Sequence, residues 1–393
     1  MAPFSQSRPN PMIPVGGPCV IDHTLHLLRE AGVNTVTVVT GHKGDVLRRH
    51  LTGEHASGVN ISFVEQGKGQ GIGGAILAAR ERFSPGENFL LVYADTLTTA
   101  NIFSVTLQAF GLHGDPTAAI CLTESGEKYG NVYLGQEMKI TKIVEKPRRE
   151  KGLGNYVLAG VFALNTAFFE LLGKAKGDME AAWRKLIENG SLRAAIWEDR
   201  WLDLAYPWDV LTANRMVMEQ WKAAVIHESV TLSGASVKGP VIISKGADIR
   251  PGTVLEGPAF IGENCFIGHN TLVRPYTCVG ARSVIGHGVE LKNCVMFPNT
   301  TVGRLSFIGD SVVGEGVDIG AGTMTINRTM DQRPVTVKVN GKPTPSGLTK
   351  LGAFIGDGAV IGASNILAAG AIVPEGARIG HNLSYPPQKR GGR

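Results

Sequence analysis

The stretch LEGPAFIGENCFIGHNTLVRPYTCVGARSVIGHGVEL (255–291) repeats every six residues. It belongs to a longer series in which each sixth residue is aliphatic or aromatic: Ile243, Ile249, Leu255, Ile261, Ile267, Val273, Val279, Ile285, Leu291 and Phe297. A second run keeps the period through Ile355, Ile361, Leu367, Val373 and Ile379. Helices repeat near 3.6 residues and strands near two, so a period of six indicates a coil of triangular turns around a shared core. Residues 228–380 are therefore predicted to form a left-handed parallel β-helix of hexapeptide repeats.

Glycine often follows the core position directly, as at Gly262, Gly268, Gly280 and Gly286. We expect these glycines to supply the positive φ that the turns require. The polar segment 326–350 breaks the period between the two runs, which predicts a loop that leaves the coil. Because such a coil can also serve only as an oligomerising stalk, the repeats by themselves leave the function open.

The first half of the chain alternates short apolar runs with amphipathic stretches. The apolar runs lie at 34–41, 60–66, 88–95, 117–124 and 157–164, and the amphipathic stretches at 19–31, 72–83 and 209–223. This alternation predicts an α/β Rossmann-like domain over residues 1–225, with a mainly parallel sheet. Ligands of such sheets bind at the carboxyl ends of strands, which favours the segments after Gln66 and Ala94.

Length and composition limit the possible classes of protein. A chain of 393 residues favours two domains, and 43% hydrophobic with 19% charged residues is typical of a folded protein rather than a disordered one. The net charge of +5 is small, and basic residues are scattered except in the tail, 381–393, so a nucleic-acid partner is not expected. Five cysteines without a CxxC pair argue against a disulfide framework and a zinc site. No run reaches the ~20 apolar residues of a membrane span and no leader is evident, so we expect a cytoplasmic protein without a membrane partner.

Seven segments of the first half resemble, in order, the motifs of sugar-1-phosphate nucleotidyltransferases. They are RPNPMIPVGGPCVIDHTLHLLREAG (8–32), QGKGQGIGGAI (66–76), YAD (93–95), YGNV (129–132), VEKP (144–147), AGVF (159–162) and WLDLAYPWDVLTAN (201–214). The stretch VELKNCVMFPNTTVGRLSFIGDSVVGEGVDIGAGTMTIN (289–327) resembles the acetyltransferase domain of the bifunctional N-acetylglucosamine-1-phosphate uridylyltransferase/glucosamine-1-phosphate acetyltransferases. The layout is nearest to the archaeal type of this family.

The resemblance implies transfer of a nucleotidyl group from UTP or dTTP to a sugar 1-phosphate with Mg²⁺, a reaction in which the protein mainly aligns the reactants. It implies that Asp95 and Asp203 are the magnesium ligands, since carboxylate oxygens suit that ion. The implied nucleotide-binding residues are Gln66, Gly71, Gly74 and Asp95. The implied sugar-phosphate-binding residues are Gly130, Glu145, Lys146 and Gly160, and the implied catalytic residues are Lys146, Asp95 and Asp203.

The residues alone leave plainer interpretations open. Asp95 could be a turn residue, and Asp203 competes with Asp209, which could begin the helix 209–223 as its cap. Glu145 and Lys146 could form a solvated pair, and the glycines of 71–74 an ordinary loop.

The first domain departs from the family pattern at several positions. Met1 stands where the family's glycine-rich phosphate loop ends, so the first strand and this loop would precede the sequence, and Asn10 replaces a lysine. Two hypotheses follow: a start placed too far downstream, or a domain that has lost activity. Ile72 replaces a common threonine, and Leu158 replaces the asparagine found in N-acetyl-sugar enzymes. We therefore expect a simple hexose phosphate to fit better than an N-acetylated one.

The second domain also departs from the pattern. Arg274, Lys292 and Asn327 match family positions that bind acetyl-CoA or sugar, although a solvated coil rim would look the same. Arg304 stands where the family has its catalytic histidine and Phe307 where it has a tyrosine. Because arginine stays protonated in proteins, it cannot act as the base.

Three hypotheses for the function remain. The first is a nucleotidyltransferase that binds a nucleoside triphosphate and a sugar 1-phosphate. The second is a catalytically impaired regulatory or scaffolding subunit that assembles with an active relative. The third, an acetyltransferase alone, is weakest because of Arg304. By resemblance, the chain is expected to form a homotrimer or a multiple of one.

Overall fold

The computed structural model describes residues 1–52, 58–67, 71–123, 129–145 and 156–386. The chain divides into two compact units, Ile21–Asp203 and a second unit made of Met1–Val20 with Leu204–Arg393. This division differs from the predicted boundary near residue 225, because the first twenty residues and the segment that starts at Leu204 pack with the coil.

The second unit contains the predicted β-helix, whose strands pair in parallel with the strands one coil further along. The first coil sheet consists of Val225–Ile226, Val241–Ile243, Ala259–Ile261, Thr277–Val279, Val295–Met296, Val312–Val313, Phe354–Ile355 and Ile372–Val373. The second consists of Ser236–Lys238, Val254–Glu256, Leu272–Val273, Glu290–Lys292, Phe307–Gly309, Met324–Thr325, Ile366–Leu367 and Ser384–Tyr385. The third consists of Asp248–Ile249, Phe266–Ile267, Val284–Ile285, Thr301–Val302, Asp318–Ile319, Val360–Ile361 and Arg378–Ile379. The predicted loop at 326–350 includes a hairpin, Thr336–Val339 with Lys342–Pro345.

The interior of the coil confirms the six-residue period, with one correction. All predicted inward residues except Phe297 pack in or against a single apolar cluster. Phe297 is also fully buried, but its ring faces Phe4 at a centroid distance of 5.4 Å. The inward position belongs to Met296, which aligns with Val279, so the column advances by five residues after Leu291 instead of six.

The glycines that follow the core positions have a different role from the predicted one. Positive φ values occur two residues later, at Asn264, Asn270, Arg282 and Gly288. A Cβ atom on Gly268 would instead lie 2.7 Å from the backbone carbon of Gly286 in the next coil, and Gly262, Gly280 and Gly286 show similar approaches to backbone atoms. Close stacking of the coils, and not positive φ, therefore requires these glycines.

The unit Ile21–Asp203 consists of helices and, within the described residues, three sheets: two with two strands each and a mixed one with six strands. The helices are α1 (Val20–Glu30), α2 (Gly44–Thr52), α3 (Gly71–Ala78), α4 (Ile102–His113), α5 (Ala167–Lys174) and α6 (Met179–Glu188), and α7 (Asp209–Met218) follows in the second unit. The strands are β1 (Thr35–Thr40), β2 (Asn60–Glu65), β3 (Asn88–Val92), β4 (Thr96–Thr98), β5 (Thr117–Leu122), β6 (Gly130–Leu134), β7 (Ile140–Glu145), β8 (Tyr156–Asn165), β9 (Arg193–Trp197) and β10 (Trp201–Asp203). No helix among these has both the length and the apolar character that crossing a bilayer requires.

The strand pairing shows that the expectation of a mainly parallel sheet was wrong. Within the described residues, β1 with β2 and β5 with β9 are parallel. The pairs of β8 with β3, β5 and β6, of β6 with β7, and of β4 with β10 are antiparallel. The long strand β8 lies at the centre, where its residues from Val157 to Leu164 are almost all buried.

The segment 8–18, which resembles a nucleotidyltransferase motif, packs on the coil. Arg8 is buried and donates to Glu315 at 3.1 Å and to Asp357, and its guanidinium lies 4.8 Å from the centre of the Phe297 ring. Ser7 also donates to Asp357. A charge that leaves water needs such partners, so Arg8 would be left uncompensated only if both carboxylates were removed.

Two neighbouring residues of one coil strand allow a test of which side chain faces the interior. Ile285 is fully buried in the column, whereas the neighbouring Val284 points outward with 43% of its surface exposed. Ile285→Asp should lower the free energy of unfolding by on the order of 4 kcal/mol, because it buries an unpaired charge. Val284→Asp is the matched control and should change it by less than about 1 kcal/mol. Urea unfolding of both variants measures the difference, and equal losses would contradict the assigned orientation.

Candidate active site

The two predicted magnesium ligands lie next to each other through strand pairing. Asp95 follows β3 and directly precedes β4. In the antiparallel pair of β4 with β10, Asp203 is opposite Thr96. Both carboxylates are half-buried and line the same cleft of ≈ 1090 Å³ within the Ile21–Asp203 unit. The register therefore positions Asp203 across from the residue that follows Asp95.

Negative charge is concentrated at this end of the cleft. Burial raises the pKa of Tyr93 well above its ordinary value, and the carboxylates of Glu145 and Asp95 raise the pKa further. Negative charges near a phenol disfavour its ionised form, and this effect on Tyr93 follows from the positions of the two carboxylates. Three acidic side chains, Asp95, Glu145 and Asp203, thus line one region of the cleft wall.

The carboxylate oxygens of Asp95 and Asp203 are suitable ligands for a divalent cation such as Mg²⁺. Asp95 directly precedes β4, Asp203 ends the neighbouring strand β10, and both residues line the cleft. Asp95 is one of the two carboxylates that raise the pKa of Tyr93, and a cation bound there would neutralise its charge.

Gly130 and Gly160, both predicted to contact the sugar phosphate, have neighbours that a side chain would crowd. A Cβ atom on Gly130 would lie 2.7 Å from the carboxylate oxygen Oε1 of Glu145 and 3.3 Å from Leu158. Gly160 has a φ of 77°, and a Cβ atom there would lie 3.1 Å from Tyr93 and from the hydroxyl oxygen of Thr96. Both positions therefore favour glycine because of close neighbours, and both residues line the cleft.

The predicted nucleotide-binding segment begins α3. Gly71 has a φ of 68° and is exposed, Gly74 is half-buried, and Ile72 between them lines the cleft with 48% of its surface exposed. The side chain of Gln66 donates to the carbonyl oxygen of Gly71 at 2.8 Å. Gln66 is thus bonded to the first residue of α3. Lys146, predicted to be catalytic, lies outside the described residues.

Two aromatic residues of the cleft were not predicted as site residues. The rings of Tyr129 and Trp201 meet edge to face with a centroid distance of 5.1 Å. The indole nitrogen of Trp201 donates to the carbonyl oxygen of Ala159 at 2.9 Å, which fixes the ring beside Gly160. Both residues occur inside the quoted motifs, but their mutual contact joins segments 72 residues apart and has no local sequence signal.

On the coil, the structure brings together only part of the predicted acetyltransferase-like site. Lys292 and Asn327 both contact the buried carboxylate of Asp310, at 3.2 Å and 2.6 Å. Arg274 pairs with Glu290 at 2.9 Å, and Arg304 is exposed in the turn that follows Thr301–Val302, a strand of the third coil sheet. Asp310, which organises this cluster, was missed by the sequence analysis because an aspartate in a turn is common.

Comparison with known proteins covers nearly the whole chain. The family model described as Nucleotidyl transferase matches residues 1–220, and the one described as GMPPB C-terminal domain matches residues 255–340. The bifunctional protein GlmU of Methanococcus maripaludis strain S2 is 33% identical over 97% of this chain and 90% of that protein. The bifunctional sugar-1-phosphate nucleotidylyltransferase/acetyltransferase of Sulfurisphaera tokodaii is 30% identical over 96% of this chain and 92% of that protein.

Solved structures share the fold of part of the chain. A crystal structure described as a glucose-1-phosphate thymidylyltransferase of Bacillus anthracis in complex with a sucrose has a TM-score of 0.50. The match covers 55% of this chain and 89% of that one at 20% identity, so it supports the fold alone.

Gly160 offers a test of the close packing around Tyr93. Gly160→Ala should reduce the free energy of unfolding by about 1–3 kcal/mol, since its φ is positive and the added methyl group would crowd Tyr93. Gly173→Ala is the control, because Gly173 is an exposed residue of α5 with open space around it. It should be neutral or stabilising. Denaturant unfolding measures both, and a neutral Gly160→Ala would contradict the described backbone.

Proposed function

Since this chain belongs to the nucleotidyl transferase family, in the two-domain form of the archaeal GlmU-type proteins, we propose that it joins a nucleotide to a sugar 1-phosphate. UTP or dTTP would be the nucleotide donor, and the products would be a nucleoside-diphosphate sugar and pyrophosphate. The observation that carries the proposal is the β4–β10 register, which positions Asp203 beside Asp95 in a cleft with an acidic end.

Asp95 and Asp203 would hold Mg²⁺ in this proposal. The ion, when bound, neutralises charge on the phosphates. The chain's own residues supply alignment: the two carboxylates, one just before β4 and one at the end of β10, would hold the ion, and the side chain of Gln66 donates to the carbonyl oxygen of Gly71 at the start of α3. Alignment of this kind is the main contribution that a protein makes to phosphoryl-type transfer.

The sugar would lie against Gly130, Glu145 and Leu158. The side chain of Glu145 is exposed at the end of β7 and can accept a hydrogen bond from a sugar hydroxyl. Leu158, 3.3 Å from the position of a Cβ atom on Gly130, offers an apolar surface and no hydrogen bond to an acetamido group. We therefore propose a simple hexose 1-phosphate as the preferred acceptor.

The alternative of a catalytically impaired subunit is not favoured, because the relatives reported above bear the names of enzymes. Acetyl transfer in the coil has less support than nucleotidyl transfer. Lys292 and Asn327 are engaged with Asp310, and Arg304 cannot act as a base. Binding of acetyl-CoA at Arg274 and Lys292 stays a prediction.

Release of pyrophosphate from UTP or dTTP with glucose 1-phosphate tests the proposal. We expect turnover that requires Mg²⁺ and falls about 100-fold or more in Asp95→Asn and in Asp203→Asn, since each change removes a charge that fixes the ion and the phosphates. Asp199→Asn is the control because Asp199 is exposed and lies outside the cleft lining. N-acetylglucosamine 1-phosphate should be a poorer acceptor than glucose 1-phosphate. An inactive parent, or full activity of both variants, would overturn the assignment.

We also propose that the chain forms a trimer through the second coil sheet. The first coil sheet is covered within the same unit: a Cβ atom on Gly17 would lie 2.6 Å from Phe260, and the rings of Trp208 and Phe354 are 6.4 Å apart. Outward positions of the third sheet include Asp248, Asp318 and Arg378. The second sheet instead presents a column of apolar residues aligned by register, with Glu290 as an interruption: Val254, Leu272, Phe307, Met324 and Ile366. An apolar column of this kind is typical of an interface.

Met324 and Ile366, each 47% exposed, provide the test. The double change Met324→Glu and Ile366→Glu should convert a particle of three times 41.8 kDa into the monomer, because it adds like charges to each copy of the interface. Val284→Glu with Val360→Glu, on outward positions of the third sheet, is the matched control. Size-exclusion chromatography with light scattering measures the mass. A monomeric parent, or a monomeric control with a trimeric test variant, would contradict the proposed interface.

A further inference from the structure

One corner of the β-helix carries two histidines in consecutive coils. His269 and His287 each lie two residues after an inward residue of the third coil sheet, Ile267 and Ile285. Ile267 is opposite Ile285 in the parallel pairing, so the register gives the two histidines the same position in adjacent coils. The amide of Gly288 donates to the carbonyl oxygen of His269 at 2.9 Å, which continues the ladder through the corner.

The backbone follows the same path through both corners. The residue after each histidine has a positive φ, 56° at Asn270 and 64° at Gly288. The two coils also approach closely here, since a Cβ atom on Gly268 would lie 2.8 Å from the amide nitrogen of His287. Adjacent strands are about 4.8 Å apart, and equal backbone conformations direct the Cα–Cβ bonds the same way. The two histidine side chains therefore leave the backbone in parallel, within reach of one ion.

The two imidazoles have no other assignment in the fold. Both histidines are exposed, and within the described part of the chain neither side chain has a hydrogen-bond or ion-pair partner. His381 shows the contrasting case at the same corner of a later coil. Its neighbour in the adjacent coil is Ala363, whose amide donates to Nδ1 of His381 at 2.9 Å. A neutral imidazole offers one nitrogen lone pair, and in the pair of consecutive coils two such lone pairs are available side by side.

We propose that His269 and His287 together bind one divalent transition-metal ion of the zinc and copper class. Imidazole nitrogen suits Zn²⁺, Cu²⁺ and Ni²⁺, whereas Mg²⁺ prefers oxygen ligands. Because a Zn–N bond is about 2.0–2.1 Å long, both nitrogens must lie at most about 4 Å apart. Two side chains that start about 4.8 Å apart can meet this condition by rotation of the side chains alone.

Two protein ligands leave half of a tetrahedral coordination sphere to water. Binding is therefore reversible and weaker than at a structural zinc site, which has four protein ligands. The bound ion connects two consecutive coils, and a ligand that binds only the folded chain raises its stability. Arg304 follows in the next coil of the same column, since Ile285 is opposite Val302, and its positive charge weakens the attraction of a cation.

Titration of the untagged full chain with Zn²⁺ in excess Mg²⁺, followed by calorimetry, tests the proposal. His269→Ala and His287→Ala should each weaken Zn²⁺ binding at this site about tenfold or more, because one imidazole cannot chelate the ion. His381→Ala is the matched control: His381 has the same corner position but no histidine in the adjacent coil. It should bind Zn²⁺ as the parent does. Excess Mg²⁺ should not displace the ion, since imidazole is a poor ligand for it.

Two further measurements distinguish a chelate from loose binding. The electron paramagnetic resonance spectrum of bound Cu²⁺ should show coupling to two imidazole nitrogens in the parent and in His381→Ala, and to fewer in the two test variants. Zn²⁺ should raise the Tm of the parent by several degrees and leave that of the test variants unchanged. Arg304→Gln should tighten Zn²⁺ binding about two- to fivefold, because it removes a nearby positive charge.

Three results would refute the site. They are the absence of Zn²⁺ binding by the parent, equal affinity of the parent and both test variants, and a molecular mass that increases with Zn²⁺ in light scattering, which would indicate ligands from two chains. An unchanged affinity in Arg304→Gln would contradict the described column. No readout depends on nucleotidyl transfer, so this proposal and the proposed function fail independently.

Discussion

The stacking of parallel strands in the coil is the constraint on which the rest of the second unit depends. Neighbouring strands of a sheet lie ≈ 4.8 Å apart, so a residue at each corner must tolerate the backbone of the next coil directly above it. Glycine meets that demand at Gly268, where a Cβ atom would lie 2.7 Å from the next coil. Because the spacing is fixed, outward residues also align in columns. When the same outward position is apolar in successive coils, the whole face of the sheet is apolar. Phe307, Met324 and Ile366 on the second coil sheet are an example.

The first twenty residues pack against the coil. Arg8 lies against Glu315, 307 residues later, and against Asp357. Asn214, fully buried, accepts from the amide of Gly16 at 2.9 Å and donates to the carbonyl oxygen of Tyr276 at 2.8 Å. These contacts stabilise the segment through charge and hydrogen bonding, because a buried polar group requires a partner. No local pattern in residues 8–18 could have predicted partners so distant.

Sequence reasoning predicted the coil well because its signal is local and repeated. It identified the inward residues between Ile243 and Leu291 correctly but failed at Phe297. Met296 and Phe297 are both apolar, so the sequence does not show whether the next inward residue comes five or six positions after Leu291. In the other unit, apolar runs predicted the positions of β1, β2, β3, β5 and β8 but not their directions, because a buried strand has the same composition in either direction. The carboxylates of Asp95, Glu145 and Asp203 do line one cleft, whereas Tyr129 and Trp201 were missed because their contact is long-range.

The acidic end of the cleft depends on the register of the β4–β10 pair. In the β4–β10 pair, Leu97 is opposite Leu202, and Leu97 is almost completely buried. A slip of one residue would reverse the side on which each residue of β10 points, so the burial of Leu97 also fixes the direction of Asp203. Tyr93, which lines the same cleft, does not add to this negative charge. Burial and the nearby carboxylates raise its pKa and disfavour the ionised phenol, so near neutral pH it adds no negative charge and remains a hydrogen-bond donor. The negative charge that would attract a cation therefore comes from Asp95 and Asp203, which the β4–β10 register positions in the cleft.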